Sequence, residues 1–196
     1  MQPPHRKSVQ SYNIPGDAHE LTFSCFRRLR LLNRDRSRRW LIDAMENARK
    51  RLHLHIWAYV IMPEHVHVMI HPQEANYEIK LIRTALKVPV KRRALRYLRD
   101  TMPNALEKLC DRQPNGEVHY RFWQRGGGYD RNITEFGTLE SMIEYIHLNP
   151  VRRGLVRRAT DWVWSSARFY AGAVAVPIRM DLLPPLDFPG GRLRRR

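Results

Sequence analysis

With 196 residues and 43% hydrophobic content, the chain has the length and composition of one globular domain with tails rather than of a disordered segment. Thirty-five Lys and Arg against 19 Asp and Glu give a net charge of +16, which points to polyanionic partners because basic side chains displace the counterions condensed on phosphates. Only Cys25 and Cys110 are present, which excludes a disulfide scaffold, and no apolar run nears the ~20 residues that span a bilayer, so a soluble cytoplasmic protein with no membrane partner is expected.

Residues 1–17 are polar and proline-containing, lack the apolar core of a signal peptide and form an N-terminal arm. His19 to Phe26 (HELTFSCF) is rich in β-formers and predicts a first strand. After the basic loop RRLRLLNRDRSRR, the residues Trp40, Leu41, Ala44, Met45, Ala48 and Leu52 recur at intervals of three and four. They predict an amphipathic helix from Ser37 to Leu52, capped by Asp35 or Ser37. Two apolar runs, His55 to Met62 and His65 to His71, meet at Pro63-Glu64, either a tight turn or a bulged, continuing strand. Tyr77 to Arg99 is helical in composition and Pro89 divides it into two pieces; Met102 to Gly116 reads as a loop with a short helix. Tyr120 to Gln124 (YRFWQ) predicts a strand that ends at Gly126-Gly127-Gly128, where the backbone can approach a neighbour closely or move. Thr138 caps a helix from Leu139 to about Leu148, stopped by Pro150. WVWSSARFY packs on the core, with Trp162 and Trp164 inside it, and residues 173–196 form a basic tail. The order of strands and helices predicts an α+β fold: a ferredoxin-like antiparallel sheet with helices on one face.

Side chains alternate across a strand, so His65 and His67 share one face while Val66 takes the other, and two imidazoles on a rigid face suit a divalent ion. His53-Leu54-His55 has the same spacing, and spacing alone does not choose between the two pairs. His71 lies on the same strand face, two positions farther out than Met69, and reads as a strand-end residue. On the last helix Leu139, Met142, Ile143 and Ile146 form an apolar stripe. Tyr145 and Asn149, four residues and roughly 40° apart, sit together at its edge. There Tyr145 is either an exposed nucleophile or an ordinary edge residue, and Asn149 either a ligand or a cap. A residue before proline is pushed away from helical geometry, so Pro150 is expected to turn Asn149 aside.

The blocks YVIMPEHVHVMI, FWQRGGGYDRNI, EYIHLNPVRRGLV and DWVWSSARFY, in that order and spacing over roughly residues 11–172, resemble the REP-associated tyrosine transposases. These are single-tyrosine transposases of the HUH (His-hydrophobic-His) group. The resemblance implies an HUH endonuclease fold over residues 18–172, with His65 and His67 as the metal pair and Tyr145 as the catalytic tyrosine. Asn149 takes the position where relatives carry an Asn or Gln ligand. It further implies cleavage and rejoining of single-stranded or hairpin DNA through a 5′-phosphotyrosine intermediate. A site of nitrogen and oxygen ligands suits Mg²⁺ or Mn²⁺ better than zinc.

Such a substrate needs cations and aromatic platforms. Arg121, Gln124, Arg125, Tyr129, Arg131 and Asn132 interleave the two kinds beside the glycine run; Phe122 and Trp123 there are equally readable as core. Lys87, Lys91 and Arg92 begin a cationic helical face suited to phosphates, and Arg152 and Arg153 follow the tyrosine block closely enough to grip the strand being cut. A monomer and a homodimer both fit the pattern. Three rivals stand beside it: a non-catalytic nucleic-acid binder on the same fold, a replication initiator or relaxase, and a zinc hydrolase using His65, His67 and His71.

Overall fold

The computed structural model describes residues 12–183. Four strands, β1 (Ala18–Ser24), β2 (Leu54–Ile61), β3 (His65–Pro72) and β6 (Tyr129–Ile133), form one antiparallel sheet in the order β2-β3-β1-β6. Helix α1 (Asp35–Arg51) follows β1, α2 (Ile79–Thr101) follows β3 and α4 (Phe136–Arg152) follows β6. A short helix α3 (Pro103–Leu106) and a separate hairpin, β4 (Cys110–Arg112) with β5 (Val118–Tyr120), are inserted before β6, and α5 (Ala167–Tyr170) comes last. The expected α+β, ferredoxin-like antiparallel class holds. Among the described residues no helix is long and apolar enough to cross a membrane.

Pro63 and Glu64 form the tight turn of the two alternatives: Met62 N–H donates to the His65 carbonyl at 2.9 Å, with proline at the second turn position it favours. His65 therefore opens β3 at the same end of the sheet where β1 finishes, with Ser24 opposite His65 and Thr22 opposite His67.

The helices do not all lie on one face. α1 and α2 cover the face made by Leu21, Phe23, Val66, Val68 and Ile70, whereas α4 lays Leu139, Ile143 and Ile146 on Ala18, Val60, Met62 and Met69 from the other side. The physical reason is visible in β2, whose run IWAYVI is buried at every position, so both of its faces need cover. A bulge near Trp57, where the β2–β3 register shifts, turns that large ring to the α4 side.

Three local expectations are also corrected. Pro89 does not divide its helix, because α2 runs unbroken from Ile79 to Thr101 with Ile82, Leu86, Val90 and Ala94 holding one face against the core. Pro150 likewise lies inside α4, which starts three residues earlier than predicted, has Glu135 rather than Thr138 at its cap position, and continues to Arg152. The strand predicted at Tyr120–Gln124 is instead the end of β5 followed by a buried Phe122-Trp123 pair beside β1, with Trp123 bridged to Cys25. The fourth sheet strand is the polar segment YDRNI. Gly128 lets it dock: a Cβ there would stand 2.2 Å from the Thr22 carbonyl oxygen, at a φ of +81°.

The C-terminal segment covers the open edge of β2, with Ile61 N–H donating to the Trp164 carbonyl and Ser166 N–H to the Tyr59 carbonyl. Trp162 and Trp164 are partly buried against the core. The packed chain continues past residue 172: Ile178 and Met180 are buried, and Asp181 Oδ2 accepts the Ile56 N–H at 2.8 Å. Residues 1–11 and 184–196, which carry most of the expected arm and the GGRLRRR tail, lie outside the described residues.

Candidate active site

The α4 face of the sheet gathers the chemistry. His65 and His67, each only 7% exposed, hold their ring centroids 5.0 Å apart and nearly perpendicular. Each Nδ1 meets a buried carboxylate. His67 Nδ1 lies 2.9 Å from Glu20 Oε1, and His65 Nδ1 lies 3.1 Å from Glu64 Oε1. Thr22 Oγ1 sits 2.7 Å from His67 Nδ1 and donates to Glu20 at 2.5 Å. With Nδ1–H donating to a carboxylate, each ring presents the Nε2 lone pair, the tautomer a metal ligand needs. Burial, then the neighbouring His67, pushes the His65 pKa down to about 4, so its ring is neutral at physiological pH.

α4 brings Tyr145 to this pair. Its stripe of buried apolar residues fixes the helix rotation, which leaves Tyr145 40% exposed at the edge of the interface. The Tyr145 ring stands edge-on to His67 with centroids 5.7 Å apart, and the Arg152 guanidinium lies over its face at 5.0 Å. Because α4 continues through Pro150, Asn149 keeps helical backbone geometry. It is buried one helical turn from Tyr145, and its Nδ2 donates to the Tyr145 carbonyl at 3.3 Å, which leaves Oδ1 for another partner. Among the described residues no group of three or more His, Cys, Asp or Glu side chains is arranged to hold a metal ion. A divalent ion here would draw on the two imidazoles, a neutral ligand such as Asn149, and oxygens from water or substrate.

His53, His55 and His71 stand apart. His53 occupies the turn after α1 with φ +45°, and His55 on β2 faces His71 at 6.4 Å. His71 stacks on Trp57 with centroids 4.6 Å apart, roughly 13 Å along the strand from His67 at the usual rise per residue. The two His-x-His pairs thus belong to different ends of the sheet.

Of the expected DNA contacts, Tyr129, Arg131, Arg152 and Arg153 surround the site. Tyr129 and Arg131 are paired with Thr22 and Glu20 across β1, and Arg153 bonds Glu64 at 3.1 Å. Arg131 and Tyr145 together line a cleft of about 530 Å³ that also touches Thr138, Ser141 and Met142. The remaining residues are placed differently. Arg121 pairs with Asp111, Gln124 Oε1 accepts the Arg27 N–H at 3.0 Å, and Arg125 donates to Gln113 at 2.8 Å. Asn132 is turned to the opposite face, where it bonds Asp17 at 2.8 Å. Lys87, Lys91 and Arg92 lie on α2 in the other layer, with Lys87 Nζ donating to the Gly126 carbonyl at 3.1 Å. The residues missed from sequence are Glu20, Thr22 and Glu64. Glu64 adjoins His65 in the chain, but Glu20 announces itself only as a lone acid in a run of β-formers.

No family model matches the chain. A curated protein of Haemophilus influenzae, named "Putative REP-associated tyrosine transposase", is 28% identical over 114 residues, 56% of this chain. The match spans 56% of that relative's own length, little more than half. A solved structure described as a REP-associated tyrosine transposase bound to a REP hairpin superposes with a TM-score of 0.63 at 22% identity, over 94% of this chain and 96% of the other. The group of proteins to which the sequence motifs point is thus the one named by both similarities, and the fold is shared.

Proposed function

We propose that this chain is a REP-associated type of transposase that cleaves and rejoins single-stranded or hairpin DNA, with Tyr145 as nucleophile and Mg²⁺ or Mn²⁺ held by His65, His67 and Asn149. One observation carries this: an exposed tyrosine stands edge-on to one of two buried histidines whose Nδ1 atoms are both held by carboxylates. The relatives' names and the hairpin in the similar structure support the substrate class.

When bound, the ion would neutralise charge on the phosphoryl group under attack. The chain's own residues do the rest. Glu20 and Glu64 fix the imidazole tautomers, and Arg152 and Arg153, at the end of α4, bring positive charge to the strand being cut. The Tyr145 oxygen, having lost its proton, attacks phosphorus; the bond from phosphorus to the 3′ oxygen breaks, and that oxygen takes up a proton as the free 3′-hydroxyl. The 5′-phosphotyrosine keeps the energy of the diester, so a second 3′-hydroxyl reverses the step without ATP.

Labelled hairpin DNA incubated with the protein and Mg²⁺ or Mn²⁺ should give a covalent adduct on a denaturing gel. Tyr145→Phe, and His65 or His67 replaced by Ala, should abolish it, and His53→Ala should leave it intact. Tight hairpin binding with no adduct from the wild type would instead favour a non-catalytic DNA binder.

A further inference from the structure

Two residues beyond Tyr145, and roughly 200° round the helix at about 100° per residue, α4 carries a histidine that the proposed chemistry does not use. The His147 imidazole is part-buried against the C-terminal segment. Its Nε2 lies 2.8 Å from Ser166 Oγ, and the Tyr170 ring leans on it with centroids 5.0 Å apart. We infer that His147 is a positioning residue for the nucleophile: its bond to Ser166 sets the fine rotation and depth of α4, and with them the placement of Tyr145 against His65 and His67. The inference rests on the reading of Tyr145 as nucleophile and adds a residue on the far side of the helix from it.

The apolar stripe of α4 decides which side of the helix meets the sheet. Leu139, Ile143 and Ile146 pack on Ala18, Val60, Met62 and Met69, but apolar contact is non-directional and tolerates a small turn or slide. A hydrogen bond weakens steeply with stretch or tilt, so it resists both. Ser166 is a fixed partner for such a bond. It is 1% exposed, and its Oγ accepts the Tyr59 N–H at 2.9 Å. With His147 Nε2–H donating to the same Oγ, the hydroxyl proton goes to the Tyr59 carbonyl at 3.2 Å and every role at Oγ is filled. The Ser166 N–H also donates to that carbonyl, at 3.0 Å. Tyr170 is anchored in the same way, its hydroxyl donating to the Trp57 carbonyl at 2.7 Å. Both supports of His147 therefore hang on the backbone of β2. That strand is paired with β3 so that Val60, next to Tyr59, stands opposite His67. The imidazole on α4 is thus referenced to the histidine pair through Ser166, Tyr59 and Val60, by hydrogen bonds and sheet pairing throughout.

The test uses the full chain and follows the single-turnover rate of Tyr145 adduct formation at saturating hairpin DNA with Mn²⁺, beside hairpin affinity and thermal unfolding. His147→Phe keeps a ring beside Tyr170 but loses the bond, and Ser166→Ala breaks the same bond from the other side. Each should slow adduct formation about 10- to 100-fold with hairpin affinity unchanged, the loss expected of a nucleophile displaced by about an ångström. The double variant should be no slower than the slower single one, because both changes remove one interaction. His147→Gln, whose amide bonds Oγ in either sense, should restore most of the rate. Val90→Ala, in the α2 core on the other side of the sheet, should lower the unfolding midpoint and keep the wild-type rate. A wild-type rate in His147→Phe or Ser166→Ala, a rate that falls only in step with hairpin affinity, or no recovery in His147→Gln would overturn the inference. So would an equal loss in Val90→Ala. In each case the wild-type adduct on Tyr145 would still stand. If the wild type forms no Tyr145 adduct, the reading of the nucleophile falls and this inference with it.

Discussion

Glu20 is 3% exposed, bonds His67 Nδ1 at 2.9 Å and receives the Thr22 hydroxyl, so the ring has one orientation rather than several. Outer carboxylates of this kind raise ligand basicity and fix the tautomer. Glu20→Gln should therefore weaken Mn²⁺ binding about 10- to 100-fold in a calorimetric titration, with the fold intact by circular dichroism. Unchanged affinity would remove Glu20 from the site. His71 makes a separate residue-scale prediction. Its ring is stacked on Trp57, near His55, His19, Asp17 and the Gly16 carbonyl, and burial lowers its pKa below the ordinary 6.5. The folded state thus resists the proton that the unfolded chain accepts, so stability present above that value declines as pH falls through and below it. Urea midpoints should drop between pH 8 and pH 5, and His71→Gln should reduce the drop. An identical drop in the variant would refute the assignment. At this scale spacing left His65–His67 as one of two equal pairs, because it carries no information about which strand end meets α4, and the resemblance alone chose between them. Glu20 was illegible, since its partner is 47 residues away.

α4 is the element that makes the candidate site, since it carries Tyr145, Asn149 and Arg152 and is held to the sheet by Leu139, Ile143 and Ile146. Ile146 is fully buried and adjacent to Tyr145 in the chain. Ile146→Ala should cost about 2–5 kcal/mol in denaturant unfolding. It should also reduce adduct formation more than Leu155→Ala, a change at a residue 37% exposed beyond the helix. Equal effects of the two would mean that α4 docking does not set the tyrosine. The 3.6-residue apolar period foretold this helix and its buried stripe, but proline misled twice. Pro89 and Pro150 each remove one helical N–H, and the burial of neighbouring residues, Leu86 and Val90 in α2 and Ile146 and Asn149 in α4, outweighs that loss. β6 went unforeseen because an edge strand pairs on one side only and needs few apolar residues. The aromatic YRFWQ looked more strand-like, yet two of its rings fill the space beside Cys25.

Across the whole molecule, two covered sheet faces give two different surfaces: α4 with the histidines on one, and α1, α2 and the arginine-rich loop on the other. The net charge of +16 points to an anionic partner but says nothing of how the charge is distributed over these layers. Hairpin affinity should fall steeply and log-linearly with salt, with a slope near −0.9 per phosphate contacted in the duplex stem. A flat salt response would contradict a phosphate-tracking surface. The resemblance carried by MPEHVH and EYIHLNP reached the fold and the proposed chemistry together, because both blocks come from elements that face each other across one interface.

The most direct test is to map the covalent link. Wild-type protein reacted with hairpin DNA in Mn²⁺, digested with protease and nuclease, should yield by mass spectrometry a nucleotide 5′-phosphate on the peptide containing Tyr145, with a free 3′-hydroxyl on the released DNA. A link to another residue, a 3′-phosphate product, or no link on DNA that the protein demonstrably binds would contradict the account.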